Sequence, residues 1–197
     1  MSFSDNYKYI YMKYITTKEQ VWMRDQQQAD GLLNLIMYLS PTVDKTMIEI
    51  GSFVGESTVL FAQTFKSVIA IDPFLEGYDD ADPTSYLFEF KNVYQTYLER
   101  TGDHKNIQTI VSTSDDAISQ LRGSKYDFIY IDGLHTYEGV KRDIENYLPL
   151  VKSGGHIGGH DYTDQVPHLV GVKRAVDEMI GTPDKVFGDN SWIKKVV

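Results

Sequence analysis

Short apolar runs alternate with longer amphipathic segments along most of the 197-residue chain. The runs are rich in Val and Ile, which is typical of strands buried on both faces. The longer segments carry apolar residues at helical spacing, and such alternation is typical of a parallel sheet covered by helices on both sides. The pattern predicts five strands of this kind, at 46–50, 67–71, 107–111, 126–131 and 156–159.

Helices are predicted before and between these strands. Ser40-Pro41 is expected to end the first helix, because the residue before a proline disfavours helical geometry. Thr101-Gly102 ends the third, and Ser114 is a candidate N-cap for the fourth. The predicted helices span 17–39, 57–65, 85–100, 114–121, 137–148 and 170–180.

The chain closes differently from a pure doubly wound nucleotide-binding fold, which ends in another crossover helix. Residues 185–187 and 192–196 are predicted strands joined by Gly188-Asp189-Asn190, a hairpin turn, so one of them runs antiparallel to its partner. The predicted fold class is therefore α/β, a Rossmann-like doubly wound sheet of about seven strands with a C-terminal antiparallel hairpin. Residues 1–45 form an N-terminal helical arm, and 46–197 form the main domain of a single globular unit.

Composition and charge exclude or disfavour several classes of function. Hydrophobic residues make up 42% and charged residues 24%, as in ordinary globular proteins, and cysteine is absent, so disulfides and thiolate metal sites are excluded. A net charge of −9 disfavours nucleic acid, and no signal peptide or membrane span is apparent, so we expect a cytoplasmic enzyme with a small-molecule substrate. Tyrosines near the N-terminus favour a packing arm or a homo-oligomer contact over a substrate lid.

A glycine-bearing turn follows the first strand, from Glu49 to Ser57. Gly51 and Gly55 let the backbone turn sharply and approach a bound molecule closely. The second strand ends at Asp72, 21 residues after Gly51, where a carboxylate is placed to accept both hydroxyls of a ribose. We favour this role over the alternative, in which Asp72 only begins a turn.

The charges around this turn favour a nucleoside without phosphate. A dinucleotide would place its pyrophosphate at the start of the following helix, where Glu56 would repel it, and the G-x-G-x-x-G spacing is missing. S-adenosylmethionine instead presents an α-ammonium, which Glu49 is suited to neutralise. Its carboxylate suits Ser57 and the amides at the helix start.

Polar residues also follow the fourth and fifth strands. These strands are neighbours in the predicted topology, roughly 5 Å apart, so Asp132, His160 and Asp161 collect at one rim. Two carboxylates and an imidazole are a reasonable ligand set for Mg²⁺ or another divalent cation. His135, three residues past Asp132, is placed to act as a general base. The alternatives are a turn cap for Asp132 and a plain surface residue for His135.

The segment 46–163 resembles class I S-adenosylmethionine-dependent methyltransferases, and most of all their metal-dependent O-methyltransferases acting on sugars and other small molecules. Glu49-x-Gly51-x-x-x-Gly55-x-Ser57 is similar to the family's first motif, and the strand ending at Asp72 to its second. The resemblance implies that Glu49, Gly51 and Ser57 hold the methionine end and that Asp72 holds the ribose. The predicted cofactor-binding residues are Glu49, Gly51, Ser52, Phe53, Gly55, Ser57, Asp72, Ser114 and Asp132.

The pattern Asp132-Gly133-x-His135 resembles sugar O-methyltransferases in which the aspartate binds metal and the histidine is the general base. The resemblance implies Asp132 and His135 as catalytic residues, and Asp132, His160 and Asp161 as metal ligands. The family usually carries two acidic residues or Asp-Asn where this chain has His160-Asp161. Histidine is a poorer Mg²⁺ ligand, so this departure favours either a softer ion or an empty site.

The sequence therefore predicts S-adenosylmethionine-dependent O-methylation of a small-molecule hydroxyl. A nicotinamide-dependent oxidoreductase, a metal-dependent hydrolase and a non-catalytic binding module remain as alternatives. Arg142 and Asp143 are interpreted as the solvent-facing side of helix 137–148, and Tyr137 and Tyr162 as candidate walls of the acceptor pocket.

Overall fold

The computed structural model describes residues 26–78, 85 and 89–197. The tyrosine-rich segment and residues 17–25 of the first predicted helix lie outside this range. Residues 79–84, which follow the second strand, and residues 86–88 of the third predicted helix lie outside it as well.

Seven strands form one sheet in the order β3-β2-β1-β4-β5-β7-β6. The first five are mutually parallel, whereas β7 pairs antiparallel with both β5 and β6. The predicted seven-stranded sheet with a closing antiparallel hairpin is therefore confirmed. The strands are β1 (Thr46–Ile50), β2 (Ser67–Asp72), β3 (Ile107–Val111), β4 (Tyr126–Ile131), β5 (Val151–Gly159), β6 (Lys185–Val186) and β7 (Trp192–Lys195).

Six helices cover the two faces of the sheet in the described part of the chain. Apolar side chains of β1, β2 and β4 alternate between the faces, so each face has its own core. The helices are α1 (Gln26–Leu39), α2 (Glu56–Ala62), α3 (Phe90–Thr101), α4 (Ser114–Leu121), α5 (Tyr137–Tyr147) and α6 (Val170–Ile180), with short 3₁₀ helices at Leu148–Leu150 and Pro167–Leu169.

The two cores are built from different helices. Ile36 of α1 and Phe61 of α2 pack with Phe128 on one face. On the other face Ile144 of α5 and Val176 of α6 belong to the cluster that contains the central β1 and β4 isoleucines. Burial on both faces explains why these strands are continuous apolar runs rather than alternating ones.

Three details differ from the sequence-based expectations. β5 begins at Val151, five residues earlier than predicted, because the glycine-rich stretch continues the strand instead of preceding it. The N-cap of α4 is Thr113, whose hydroxyl accepts a hydrogen bond from the Asp116 amide at 3.2 Å, so Ser114 is the first helical residue. Asp143 is 3% exposed, so its assignment to the solvent-facing side of α5 was wrong, whereas Arg142 is exposed as predicted.

The strand order fixes where a ligand can bind. From β1 the chain passes to β2 on one side, and the next strand on the other side is β4. The order in which the chain adds strands to the sheet therefore reverses between β1 and β4, and the carboxyl ends of parallel strands at such a point leave an open crevice. No helix within the described ranges is long and apolar enough to cross a lipid bilayer.

Candidate active site

A cavity of about 620 Å³ opens at the carboxyl ends of β1, β2, β4 and β5. This volume lies within the range of small-molecule binding sites. Seven of the nine predicted cofactor-binding residues line it, whereas Glu49 and Gly55 lie behind its wall. The seven are Gly51, Ser52, Phe53, Ser57, Asp72, Ser114 and Asp132.

The glycine turn after β1 has the backbone geometry that its sequence predicts. Gly51 has φ 85° and Gly55 has φ 81°, the left-handed region that glycine adopts without strain. The Gly51 amide donates to the Ile71 carbonyl at 2.9 Å, and the Gly55 amide donates to the Ser52 carbonyl at 2.7 Å. These bonds close the turn against β2 and aim the start of α2 at the cavity.

Glu49 lies completely buried beneath this turn. The hydroxyls of Ser52, at 3.0 Å, and Thr58 both donate to its Oε2 atom. Its Oε1 atom accepts no hydrogen bond from any residue that the structure describes. Burial raises the pKa of Glu49 to about 7, against the lowering effect of hydrogen bonds from Ser57, Thr58 and Ser52; the Asp132 charge raises it further.

Asp72 holds two stretches of backbone at the end of β2. Its Oδ2 atom accepts from the Phe53 amide at 2.8 Å, and its Oδ1 atom accepts from the Phe74 amide at 2.7 Å. Asp72 therefore does begin a turn, the role given above as the alternative to ribose binding. Burial raises the pKa of this carboxyl, while the backbone bonds lower it. The Ser52 amide also bonds to this carboxyl, so three backbone bonds leave about one of its four acceptor sites for a ligand in the cavity, which Asp72 lines.

Glu56, the residue expected to repel phosphate, is paired. Arg100 of α3 places its Nη1 atom 3.9 Å from Glu56 Oε1 and donates to the Val54 carbonyl at 2.9 Å. Both side chains are buried. Because the arginine offsets the carboxylate charge, Glu56 contributes less to phosphate rejection than the sequence suggested.

The predicted catalytic and metal-binding residues come together at the opposite end of the cavity. Asp132, His135 and Asp161 each place a ligand atom within 4.8 Å of the others. His135 Nε2 lies 3.2 Å from Asp161 Oδ2 and 3.9 Å from Asp132 Oδ1. The local backbone at Asp161 has φ 60°, an uncommon conformation for a non-glycine residue that recurs at functional sites.

His160 adjoins this cluster from β5. Its Nδ1 atom lies 3.1 Å from Asp161 Oδ1 and 3.6 Å from Asp132 Oδ1. Its Nε2 atom lies 3.9 Å from Asp189 Oδ2 in the hairpin turn. The three predicted metal ligands are therefore neighbours, and His135, the predicted base, lies near the same two carboxylates.

Two buried acids near the site were not predicted from the sequence. Asp143 lines the cavity, and its helical spacing with Val140, Ile144 and Tyr147 is the signal that places it on the buried face of α5. Asp189 is buried in the hairpin turn and accepts from the Ser191 amide and hydroxyl. Nothing in a turn sequence marks such an aspartate as buried.

The two candidate acceptor-pocket tyrosines turn towards α6 instead. The Tyr137 hydroxyl donates to Glu178 at 2.6 Å, and the Tyr162 hydroxyl donates to Asp177 at 2.6 Å. Neither tyrosine lines the cavity.

Substitution of Gly51 tests the close approach of the turn to β4. A Cβ on Gly51 would overlap the Asp132 carbonyl, and the positive φ adds strain. We expect Gly51→Ala to lower the free energy of unfolding by about 3 kcal/mol, measured by urea denaturation. Gly123→Ala is the matched control, because Gly123 has φ 91° but open space around it. It should cost only about 1 kcal/mol, and equal losses in the two variants would contradict the packing argument.

The pH dependence of stability tests the burial of Glu49. Its pKa in the folded protein is about 7, above its ordinary value of 4.5, so the folded state holds this proton over a wider pH range than the unfolded chain. The contribution of this proton to the free energy of unfolding is fully present below about pH 4.5 and is lost as the pH rises through 7. Between pH 5 and 8, we expect the Tm of Glu49→Gln to rise relative to the Tm of the wild type as the pH increases. Exposed Glu145→Gln should track the wild type, and parallel curves for Glu49→Gln would refute the assignment.

Comparison with known protein families agrees with this geometry. A family model described as a methyltransferase domain matches residues 48–162, more than half of the chain. An uncharacterised protein of Acanthamoeba polyphaga mimivirus is 30% identical over 125 residues, 61% of this chain and 53% of the viral protein. A Sinorhizobium fredii protein is 24% identical over 135 residues, 65% of this chain and 14% of that protein. The chain thus spans about half or less of these relatives.

Solved structures share the fold at low sequence identity. The O-methyltransferase NovP has a TM-score of 0.63 at 16% identity, covering 84% of this chain and 79% of NovP. An O-methyltransferase from Bacillus cereus, in complex with S-adenosylhomocysteine, has 0.56 at 16% identity, covering 98% and 88%. TomG from Streptomyces achromogenes, in complex with S-adenosylmethionine, has 0.58 at 12% identity, covering all of both chains. The chain therefore belongs to the methyltransferase-domain family, and its sheet has the fold of class I S-adenosylmethionine-dependent methyltransferases.

Proposed function

We propose that this enzyme methylates a hydroxyl group of a small molecule, with S-adenosylmethionine as the methyl donor. One observation carries the proposal: the glycine turn with Asp72 and the cluster of Asp132, His135 and Asp161 line the same cavity. A nucleoside held at the first group would place its reactive end close to the second, because β1 and β4 are adjacent strands.

The polar groups around the cavity suit the parts of this donor. The start of α2, at Ser57, offers backbone amides to the methionine carboxylate, with the buried Glu49 carboxyl behind the turn for the ammonium. Asp72 would accept from a ribose hydroxyl through the acceptor site that its three backbone bonds leave unused. Beyond it, Thr113 and Ser114 line the wall where the base would lie.

The cluster at the other end suits proton removal from a hydroxyl. Bound S-adenosylmethionine supplies a methyl group on a positively charged sulfur. His135 is placed to accept the acceptor's proton, and Asp161 at 3.2 Å from its Nε2 atom is placed to orient the ring. A cavity that held the acceptor oxygen in line with the methyl carbon would lower the entropic barrier to transfer.

The donor set of this cluster also fits a divalent cation. Two carboxylates and an imidazole lie within 4.8 Å, and such mixed oxygen and nitrogen sets suit Mn²⁺ or a related ion better than Mg²⁺. Asp132, Asp161 and His160, whose Nδ1 atom lies 3.6 Å from Asp132 Oδ1 and 3.1 Å from Asp161 Oδ1, would hold the ion and leave His135 to act as the base. The ion would acidify the acceptor hydroxyl when bound. The net charge of −9 supports a small-molecule acceptor over a nucleic acid.

Ligand binding tests the donor assignment directly. Calorimetric titration with S-adenosylhomocysteine should show one site, and Glu49→Gln should weaken it by about tenfold, since the ammonium loses a charged partner. Glu145→Gln, on the exposed face of α5, should bind like the wild type. Binding of NADH with no binding of S-adenosylhomocysteine would instead favour the oxidoreductase alternative.

Catalysis and metal binding need separate measurements. With radiolabelled S-adenosylmethionine and a panel of small phenols and sugars, we expect His135→Gln to lower turnover by about 10² to 10⁴-fold, the usual contribution of a general base. Its affinity for S-adenosylhomocysteine should change less than about twofold, since the cluster lies beyond the sulfur. Unchanged turnover would remove His135 from the mechanism.

Titration with Mn²⁺, followed by electron paramagnetic resonance, tests the metal part of the proposal. The wild type should bind one ion, and Asp161→Asn should weaken binding by about tenfold or more, since it removes a charged ligand. Failure of the wild type to bind Mn²⁺ would leave His135 as the sole agent of hydroxyl activation.

A further inference from the structure

Asp189, in the turn between β6 and β7, is a buried acid with no role in the methyl transfer proposed above. Its side chain is 0% exposed. The Ser191 amide donates to its Oδ1 atom at 3.0 Å, and the Ser191 hydroxyl donates to its Oδ2 atom at 2.8 Å. The Tyr130 hydroxyl of β4 lies 3.0 Å from the same serine oxygen. Because the serine proton is donated to the carboxylate, the tyrosine donates to the serine, and the two hydroxyls hold the carboxylate in place.

Helix α1 confines this carboxyl from another side. Gly31 leaves the space that the carboxyl occupies, since a Cβ at this position would lie 2.3 Å from Asp189 Cγ and Oδ1. The Gln27 side chain donates to the Gly188 carbonyl at 3.1 Å and so joins the turn to the same helix. The position of the Asp189 carboxylate is therefore fixed by α1 as well as by β4, unlike that of an acid in an ordinary surface turn.

The Asp189 carboxylate faces the His160 imidazole. Its Oδ2 atom lies 3.9 Å from His160 Nε2, and in the described part of the chain no other basic side chain lies within ion-pair distance of it. This separation is longer than a hydrogen bond, so the attraction between the two groups is electrostatic. Such an attraction is stronger between buried groups than between exposed ones, because little water screens it.

The other nitrogen of the His160 ring faces the candidate metal ligands. Its Nδ1 atom lies 3.1 Å from Asp161 Oδ1 and 3.6 Å from Asp132 Oδ1. A neutral imidazole carries one proton, and the nitrogen without the proton is the one that can bind a cation. A negative charge beside Nε2 favours the proton on that atom, which leaves the Nδ1 lone pair directed at the two carboxylates. Histidines that bind metals usually have such a partner for their second nitrogen.

We propose that Asp189 is a positioning residue: it orients the His160 ring and keeps the ring proton on Nε2, so that Nδ1 can bind a divalent cation together with Asp132 and Asp161. This inference rests on the metal part of the proposed function. It also accounts for a histidine at a position where the resembled family usually carries an acid. The negative charge that an acid would supply comes instead from Asp189, behind the ring.

Binding of Mn²⁺, followed by electron paramagnetic resonance, tests the positioning role. Asp189→Asn keeps the size of the side chain and an acceptor for the Ser191 amide but removes the charge. We expect it to weaken Mn²⁺ binding by about 10- to 100-fold, the usual effect of removing the carboxylate partner of a metal-binding histidine, and to reduce the nitrogen hyperfine coupling of the bound ion. A purely structural role for Asp189 would lower the Tm without changing this coupling.

Asp184→Asn is the matched control. Asp184 is an exposed aspartate beside the same hairpin, and it likewise accepts from a backbone amide, that of Lys195 at 2.8 Å. This variant should bind Mn²⁺ like the wild type. Both variants should bind S-adenosylhomocysteine within about twofold of the wild type, since neither residue lines the cavity.

A second measurement needs no substitution at Asp189 and therefore applies even if Asp189→Asn does not fold. In nitrogen-15 NMR spectra of the wild type loaded with Zn²⁺, a diamagnetic ion, the His160 ring should bind the ion through Nδ1 and carry its proton on Nε2. His160→Gln identifies the signals of this ring by their loss. Binding of Zn²⁺ through Nε2 would overturn the proposal.

The outcomes separate this inference from the proposed function. If the wild type binds Mn²⁺ and Asp189→Asn binds it equally, with the same nitrogen coupling, Asp189 does not position His160, whereas the metal site stands. Mn²⁺ bound without nitrogen coupling would exclude His160 as a ligand and overturn the inference as well. If the wild type binds neither Mn²⁺ nor Zn²⁺, the inference and the metal part of the proposed function both fail, whereas binding of S-adenosylhomocysteine would still support the methyl donor.

Discussion

The site depends on the direct contact between the backbones of β1 and β4 where the two strands end. The Asp132 amide donates to the Ile50 carbonyl at 2.8 Å, and Gly51 lies so close to the Asp132 carbonyl that no side chain fits between them. This contact joins the turn that suits the methyl donor to the residues that suit the acceptor. Methyl transfer requires the two reactants to be positioned to within about 0.5 Å of the productive geometry, and a shared backbone contact is a rigid way to achieve this.

Burial of acids is the second constraint. Glu49, Asp72 and Asp143 all have raised pKa values because each carboxyl is removed from water. Hydroxyls and backbone amides hold Glu49 and Asp72 in place, so these two acids are components of the scaffold as well as candidate ligand contacts. A positively charged, phosphate-free donor is compatible with such surroundings, whereas the paired Glu56 contributes little to that preference.

The order of the strands and the closing hairpin could be predicted, because both follow from local patterns: apolar runs of strand length and a Gly-Asp-Asn turn. The polar residues at the strand ends could be predicted as well, since parallel strands bring their carboxyl ends together. Contacts between side chains that are far apart in the sequence could not be predicted. Arg100 meets Glu56 and Asp189 meets His160 only after the helices and hairpin have packed.

Asp143 shows a different limit. Its buried position was available from helical spacing, yet the charge of the residue argued for solvent exposure, and charge was given the greater weight. A carboxyl on an apolar helix face can be buried where a polar neighbour, here Ser114, hydrogen-bonds to it.

The late position of the hairpin strand β7 in the sequence affects folding during translation. β5 pairs with β4 on one edge and with β7 on the other, and β7 is translated after every other strand of this sheet, more than thirty residues beyond Gly159. Until it emerges from the ribosome, the nine-residue β5 presents an open edge with unsatisfied amides and carbonyls. Nascent chains stalled before Trp192 are therefore prone to aggregate through β5, next to His160 and Asp161.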